Sequence, residues 1–386
     1  MERADVLIVG GGPAGASCAT ALVSAGRDVV VLDASPFPRD KPCAGWITPE
    51  VVARVGLRPD EYARDHTLQP VSRFRVGRIG GRAVDVDYGT PVSYAIRRRE
   101  FDAWLLHRSG ARTRLGERVE DVRREGSRWT VNGRFAAPIV VGAGGHFCPV
   151  ARMVNGPPGQ RAMVLAREIE LPLEGGAGYR VEPERPELYF CADLRGYGWC
   201  VRKGAHLNVG LGRRDPRALP EHVTAFLGWL VREGRVAAVP EAGWQGHAYL
   251  LREGQAQPVA KDGLLLVGDA AGLACATSGE GILPAIVSGQ LAAEAILAAR
   301  GAVDESRLGA PYAGRLVDEL GSRPRSSRPA GPLVAAVGAV LLSSSWFARH
   351  VVLDRWFLHR RSGGRRGMHR GAAGGRDAPP VGEPIR

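Results

Sequence analysis

No Cys-x-x-Cys pair occurs in the chain, and its cysteines (Cys18, Cys43, Cys148, Cys191, Cys200, Cys275) are scattered, which excludes both a zinc-finger framework and a small disulfide-stapled secreted fold. A reducing, cytosolic compartment is the expectation. No uninterrupted apolar run reaches the roughly 18–20 residues of a spanning helix. The nearest, 332–342, gives way to Ser343-Ser344-Ser345-Trp346-Phe347. No charged segment precedes a longer apolar core at the start, where Asp5-Val6-Leu7-Ile8-Val9 already reads as a strand, so no secretory signal is expected. Internal repeats are absent too.

What remains is ordinary globular composition. With 386 residues, 45% of them hydrophobic and 24% charged, the chain has enough length for two or three domains. The net charge of +12 is concentrated after about residue 320, where Arg323, Arg325, Arg328, Arg349, Arg355, Arg360, Arg361, Arg365, Arg366 and Arg370 surround or follow the apolar stretch. Two readings stand. The segment is a solvated basic tail, or it is interfacial, with Trp346, Phe347, Trp356, Phe357 and the arginines resting on anionic lipid. Nucleic acid is not expected as a partner, because no recognition module accompanies the charge.

Along the chain, 4–34 reads as strand, glycine turn, helix (16–25) and second buried strand (28–32). Alternation over 71–86 around Gly80-Gly81 predicts a hairpin. Helix is expected over 100–108 and a short buried strand over 138–141. From 162 to about 212 the pattern is predominantly β, with strands at 163–170, 187–192, 198–202 and 207–212. Helix follows at 221–234, a buried strand at 263–267 and a long Ala-rich helix at 282–299. Residues 363–386, rich in Gly, Arg and Pro, read as disordered.

The first chemical signal is Gly10-Gly11-Gly12-Pro13-Ala14-Gly15, a G-x-G-x-x-G that leaves a strand and opens a helix. Glycine permits the tight turn and lets the backbone approach a pyrophosphate at the positive helix N-terminus. Asp33 ends the next strand, about 20 residues on, where a carboxylate accepts ribose hydroxyls. Late in the chain, 263–267 is a buried strand running into Gly268-Asp269-Ala270-Ala271-Gly272. Ser278-Gly279-Glu280-Gly281-Ile282 then opens a helix whose first N–H groups can face a flavin pyrimidine.

The paired glycine turn and Gly-Asp motif resemble those of the para-hydroxybenzoate hydroxylase superfamily. That resemblance implies a mixed α/β fold, a Rossmann-like FAD-binding domain with an inserted β-sheet substrate domain, and FAD as cofactor. Its R-x-x-F-D segment falls on Arg98-Arg99-Glu100-Phe101-Asp102, so Arg98 is implied to contact FAD. Gly144 stands where many hydroxylases carry an Asp. The resemblance further assigns Gly10, Gly12, Pro13, Ala14, Gly15, Asp33, Ala34, Lys41, Cys43, Ala44, Gly45, Val119, Gly268, Asp269, Gly279, Gly281 and Ile282 to the FAD site.

Within that superfamily the chain resembles the geranylgeranyl reductase family. Arg39-Asp40-Lys41-Pro42-Cys43-Ala44-Gly45 is similar to its K-x-C-G-G loop. Gly196-Tyr197-Gly198-Trp199, with Lys203 and Asn208-Val209-Gly210, is similar to its G-Y-G-W-x-F-P-K…N-V-G segment. Gly268 to Gly272 with Gly279-Glu280-Gly281-Ile282 matches its G-D-A-A-G…G-E-G-I run. Ala44 departs from a family Gly, Val201-Arg202 from Phe-Pro and Ala276 from Pro. The resemblance implies reduction of C=C bonds in a hydrophobic prenyl-type substrate, with electrons from NAD(P)H or a ferredoxin-type protein. Tyr197 and Trp199, two apart on a strand, would share a face over the flavin, and Cys43 would tune the flavin or donate a proton. Packing is the alternative role for each. His146 is a further acid–base candidate, whereas Cys18, Cys191 and Cys275 read as packing.

The domain division is 1–70, 97–155 and 256–305 for FAD, 71–96 and 156–255 for substrate, 306–362 as a C-terminal helical or interfacial segment, then the tail. A cytoplasmic protein resting peripherally on the inner face of a membrane is the expectation. The rival functions are an FAD-dependent monooxygenase acting through a flavin hydroperoxide, and a non-catalytic flavin-binding or electron-transfer partner.

Overall fold

The computed structural model describes residues 1–156, 163–173, 179–237, 243–300, 305–324 and 331–360. The expected disordered tail, 363–386, lies outside them. Five of the six strands in the nucleotide sheet are parallel, in the order Leu264–Leu266, Ile139–Gly142, Val6–Val9, Val29–Asp33 and Arg112–Leu115, with Ala260–Lys261 antiparallel at one edge. Val6–Val9, Val29–Asp33 and Ile139–Gly142 are buried along their whole length, as an apolar run covered on both faces must be. Helix Pro13–Ser24 lies against Ile282–Ala298, so the two glycine-bearing motifs, far apart in sequence, meet at one end of this sheet.

The second layer is a seven-stranded sheet, in the order Gln245–Leu250, Met163–Pro172, His206–Arg213, Gly196–Lys203, Glu187–Phe190, Arg73–Arg78 and Ala83–Asp87. The last two form the hairpin expected around Gly80-Gly81. Period-two alternation gives this sheet two dry faces. Cys200, Val209 and Leu211 pack beneath helix Leu219–Arg232 through Phe226 and Leu230. Trp199 and Val201 face the other way, where the C-terminal segment closes with Leu342, Val352, Leu353 and Phe357.

Several boundaries shift from the sequence reading. The first helix begins at Pro13, three residues earlier than expected, because proline is well suited to the first helical turn. Gln245–Leu250, not expected as a strand, pairs with Met163–Pro172 at the sheet edge. The C-terminal segment is helix Pro332–Leu342, a short turn Ser345–Phe347 and a wider helix Ala348–Phe357. Phe357, expected on lipid, is instead buried. Among the described residues no single helix is long and apolar enough to cross a membrane, although Leu333–Leu342 and Ser345–Phe357, set at 90°, reach that length together.

Candidate active site

A cavity of about 520 Å³ runs from the glycine turn to the seven-stranded sheet. At its nucleotide end Gly10 has φ +110°, and a Cβ there would lie 2.4 Å from the Ala143 carbonyl oxygen, so only glycine fits. No side chain caps the helix that starts after Gly12, which leaves its first N–H groups for a ligand. Asp33 is clamped from both sides, Oδ2 accepting from Gly11 N (2.8 Å) and Oδ1 from Ser35 N (2.9 Å). An uncapped helix end beside an oriented carboxylate fits a dinucleotide's pyrophosphate and ribose. Helix Ile282–Ala298, which packs against the first helix, is likewise uncapped at Gly281, and Gly281 also lines the cavity.

Two charge networks border the middle of the cavity. Fully buried Asp102 holds Arg98 through two bonds (2.7 and 2.8 Å) and also meets Arg39 Nη1 at 3.3 Å. Arg98 is only 8% exposed, so its charge is held inside the fold. Burial pulls its guanidinium down, yet Asp102 more than offsets this and keeps it charged. In the second network Lys41 Nζ donates to His247 (2.9 Å to Nδ1), whose Nε2 faces Asp269 Oδ2 at 3.4 Å. Burial brings Lys41 down to about 8 despite Asp269. It also lowers His247, so the neutral ring accepts at Nδ1 and donates from Nε2. Burial works to raise Asp269, but the His247 bond and then the Lys41 and Arg98 charges bring it below the usual carboxylate range.

The far end is aromatic. Phe357 stacks on Trp46 (5.3 Å) and meets Tyr197 edge-on (5.4 Å), and Tyr197 and Trp199 are 6.0 Å apart on one strand face. The Tyr197 hydroxyl donates to the Ser278 carbonyl, tying the sheet to the loop before helix Ile282–Ala298. Trp199 Nε1 donates to Asn208 Oδ1 (2.7 Å), Asn208 Nδ2 to Glu168 Oε1 (3.2 Å), and Cys43 N to the same oxygen (2.6 Å). Gly210 makes room for this, since a Cβ there would sit 2.3 Å from Trp199 Cζ2. Lys203 is buried and bonds the Cys43 carbonyl (3.1 Å) and Glu170 (2.7 Å), while Gly45 N donates to Cys43 Sγ (3.3 Å). The cysteine loop is therefore held by the sheet opposite.

Of the residues singled out from sequence, Gly10, Gly12, Pro13, Ala14, Asp33, Ala34, Lys41, Cys43, Ala44, Arg98, Val119, Tyr197, Trp199, Asp269, Gly279, Gly281 and Ile282 line this cavity. Gly15, Gly45 and Gly268 do not. They sit behind the wall, where added Cβ atoms would meet the Gly10 carbonyl, the Ile96 carbonyl and Ala14. His146 is not on the wall, its ring lying edge-on to Phe147. Arg39, Glu168, His247, Tyr249, Glu280 and Phe357 line the cavity without having been singled out for the flavin site. For His247 and Tyr249 the available signal was period-two spacing on Gln245–Leu250.

An FAD binding domain model matches residues 3–57. The menaquinone reductase of Mycolicibacterium smegmatis is 31% identical over 338 residues, covering 79% of this chain and 78% of that protein. The geranylgeranyl diphosphate reductase of Rhodobacter capsulatus is 28% identical over 317 residues, covering 76% and 75%. Among solved structures, a geranylgeranyl bacteriochlorophyll reductase-like protein from Thermoplasma acidophilum superposes with a TM-score of 0.66 at 20% identity, over 91% of this chain and 99% of that one. That likeness is one of fold.

Proposed function

The chain belongs to the geranylgeranyl reductase family of FAD-dependent oxidoreductases, and from that premise we propose that it saturates C=C bonds of a hydrophobic prenyl-type substrate. The observation that carries this reading is the continuity of the cavity, which joins the FAD half to the aromatic wall of Trp46, Tyr197, Trp199 and Phe357. A long unsaturated chain is recognised by shape and apolar contact, and such a wall supplies both. The names of the relatives, a menaquinone reductase and a geranylgeranyl diphosphate reductase, point the same way.

FAD, held by the glycine turn, Asp33, Arg98 and the loop at Gly279–Ile282, supplies hydride chemistry when bound. The chain positions and polarises. Arg98 and Arg39, fixed by Asp102, place positive charge beside the cavity, and the uncapped helix at Gly281 adds N–H donors suited to developing negative charge. Tyr197 and Trp199 orient the alkene and exclude water. We assign the proton for the second alkene carbon to the Cys43 thiol, which Gly45 N, Lys203 and Glu168 hold in place. Reducing equivalents come from NAD(P)H or a ferredoxin-type protein. The substrate is drawn from the inner face of a membrane, on which the cytoplasmic enzyme rests through its C-terminal segment.

The test is single-turnover reoxidation. Photoreduced holoenzyme is mixed anaerobically with geranylgeranyl lipids and a polyprenyl quinone, and products are analysed by mass. Flavin reoxidation with gain of two hydrogens in the prenyl chain is expected. No reoxidation by any alkene overturns the proposal, and a product formed only with oxygen would establish a monooxygenase.

A further inference from the structure

Rings that end a cavity do what rings along its side do not, because they fix how far a bound chain can advance. Among the described residues of the C-terminal segment, Phe357 alone reaches the cavity. Its ring is 7% exposed, lies nearly parallel to Trp46 (centroids 5.3 Å apart, 12°) and meets Tyr197 edge-on (5.4 Å, 78°). Behind this plate the fold is filled. Phe74 packs against Trp46 (5.0 Å) and Phe190 against Tyr197 (5.7 Å), while Leu353 and Leu358 occupy the same apolar cluster. All four are buried, and none of them lines the cavity.

The plate is also held still. On one side of Phe357 the Asp354 carboxylate accepts from the Tyr88 hydroxyl (2.9 Å), and on the other His359 Nε2 meets Glu280 Oε2 (2.8 Å). The backbone is committed as well, with Leu358 N donating to Leu353 O (2.7 Å) and Arg360 N to Asp354 O (2.8 Å). None of the three rings carries charge, and the Tyr197 hydroxyl is already engaged with the Ser278 carbonyl. A polar head group would lose its hydrogen bonds here without replacement. What such a plate receives is the apolar free end of a chain.

We propose that Phe357 is a positioning residue that selects which double bond is reduced: the free end of a prenyl chain stops against its ring, and the reacting bond is counted from that end. This rests on the alkene-reduction reading above. Double bonds recur once per isoprene unit, so a chain displaced by one unit presents its next double bond to the same cofactor and the same Cys43 thiol. The chemistry is unchanged by the shift. A π bond gives way to two C–H bonds, one from hydride and one from a proton, and two electrons pass to the alkene from the reduced cofactor. An apolar hollow left by a deleted ring stays dry and accepts an apolar ligand. Phe357→Ala therefore lets the chain end advance and moves the reacting bond toward the head.

The test follows the position of the reduced bond. Farnesol, geranylgeraniol and geranylfarnesol are each mixed anaerobically with photoreduced, FAD-loaded full chain for a single turnover, and the reduced bond is located by mass-spectrometric fragmentation. In wild type it should keep its place counted from the free end across the series. In Phe357→Ala it should shift by one isoprene unit toward the hydroxyl, changing the ratio of the two monoreduced isomers at least tenfold. Phe357→Leu, which keeps an aliphatic side chain in the core, should move the ratio the same way and serves if the alanine variant does not retain FAD. A reduced bond that keeps its place counted from the hydroxyl overturns the stop and leaves the alkene reading intact. An isomer ratio equal to wild type in both variants does the same. Reoxidation by none of the alcohols overturns the alkene reading, and the stop with it.

Discussion

Gly210 shows how one missing methyl group shapes this site. With Ala there, the new Cβ would press into the face of Trp199, and neither the strand nor the Asn208 bond leaves the indole an easy retreat. Overpacking of this kind costs about 1–3 kcal/mol. Gly210→Ala should therefore lower the melting temperature, retain FAD, and slow alkene-dependent reoxidation at least tenfold. An unchanged rate would remove Trp199 from substrate orientation. Asp102 is the complementary case, a carboxylate without solvent contact that serves two arginines. Asp102→Ala leaves the buried Arg98 without its carboxylate, which costs about 3–5 kcal/mol, and should weaken FAD binding in a titration of the apoprotein. The glycines at 10 and 15 were legible because a Cβ at either would run into backbone in the tight turn against the helix. Glu168 and His247 were not, because a polar residue on an alternating strand looks the same whether it meets water or a cofactor.

At the scale of elements, four of the parallel strands and the two long helices announce themselves by continuous burial and by proline or glycine at their starts, whereas Arg112–Leu115, polar and largely exposed, carries no such signal. The C-terminal segment does not. Its aromatic and basic residues read as one amphipathic stretch, whereas the fold divides it into an exposed apolar helix and a docked one anchored by Phe357 and His359. That anchor gives a pH signature. The bonds to Cys275 and Glu280 raise His359 from 6.5 to about 10, so its contribution is complete below about 6.5 and lost as pH rises through about 10. The melting-temperature difference between wild type and His359→Gln should accordingly be largest below about 6.5 and shrink as pH rises through about 10. A difference independent of pH would show that His359 acts by packing alone.

For the molecule as a whole, the distribution of apolar surface sets the last expectation. Leu333, Val340 and Trp346 are 77%, 73% and 65% exposed, and they occur together beside the segment that closes the aromatic end of the cavity. The basic side chains of Arg349, Arg355 and Arg360 follow immediately, the first and last resting over Tyr88. An apolar face of this kind gains about 1.5–3 kcal/mol for each large side chain taken out of water, and each arginine near an anionic leaflet adds about 1 kcal/mol. Neither helix needs to span the bilayer, because the second is already committed to the protein core by Val352, Leu353 and Phe357. The enzyme should therefore co-sediment with phosphatidylglycerol vesicles and much less with phosphatidylcholine vesicles, and salt should weaken the anionic binding as counterions screen the arginines. Val340→Asp with Trp346→Ser should cut that binding at least tenfold. Turnover of a short, water-soluble prenyl alcohol should stay unchanged, because neither side chain lines the cavity. Equal loss of turnover on the soluble and the vesicle-borne substrate would mean that the exposed helix supports the active site, and that lipid docking is not its role.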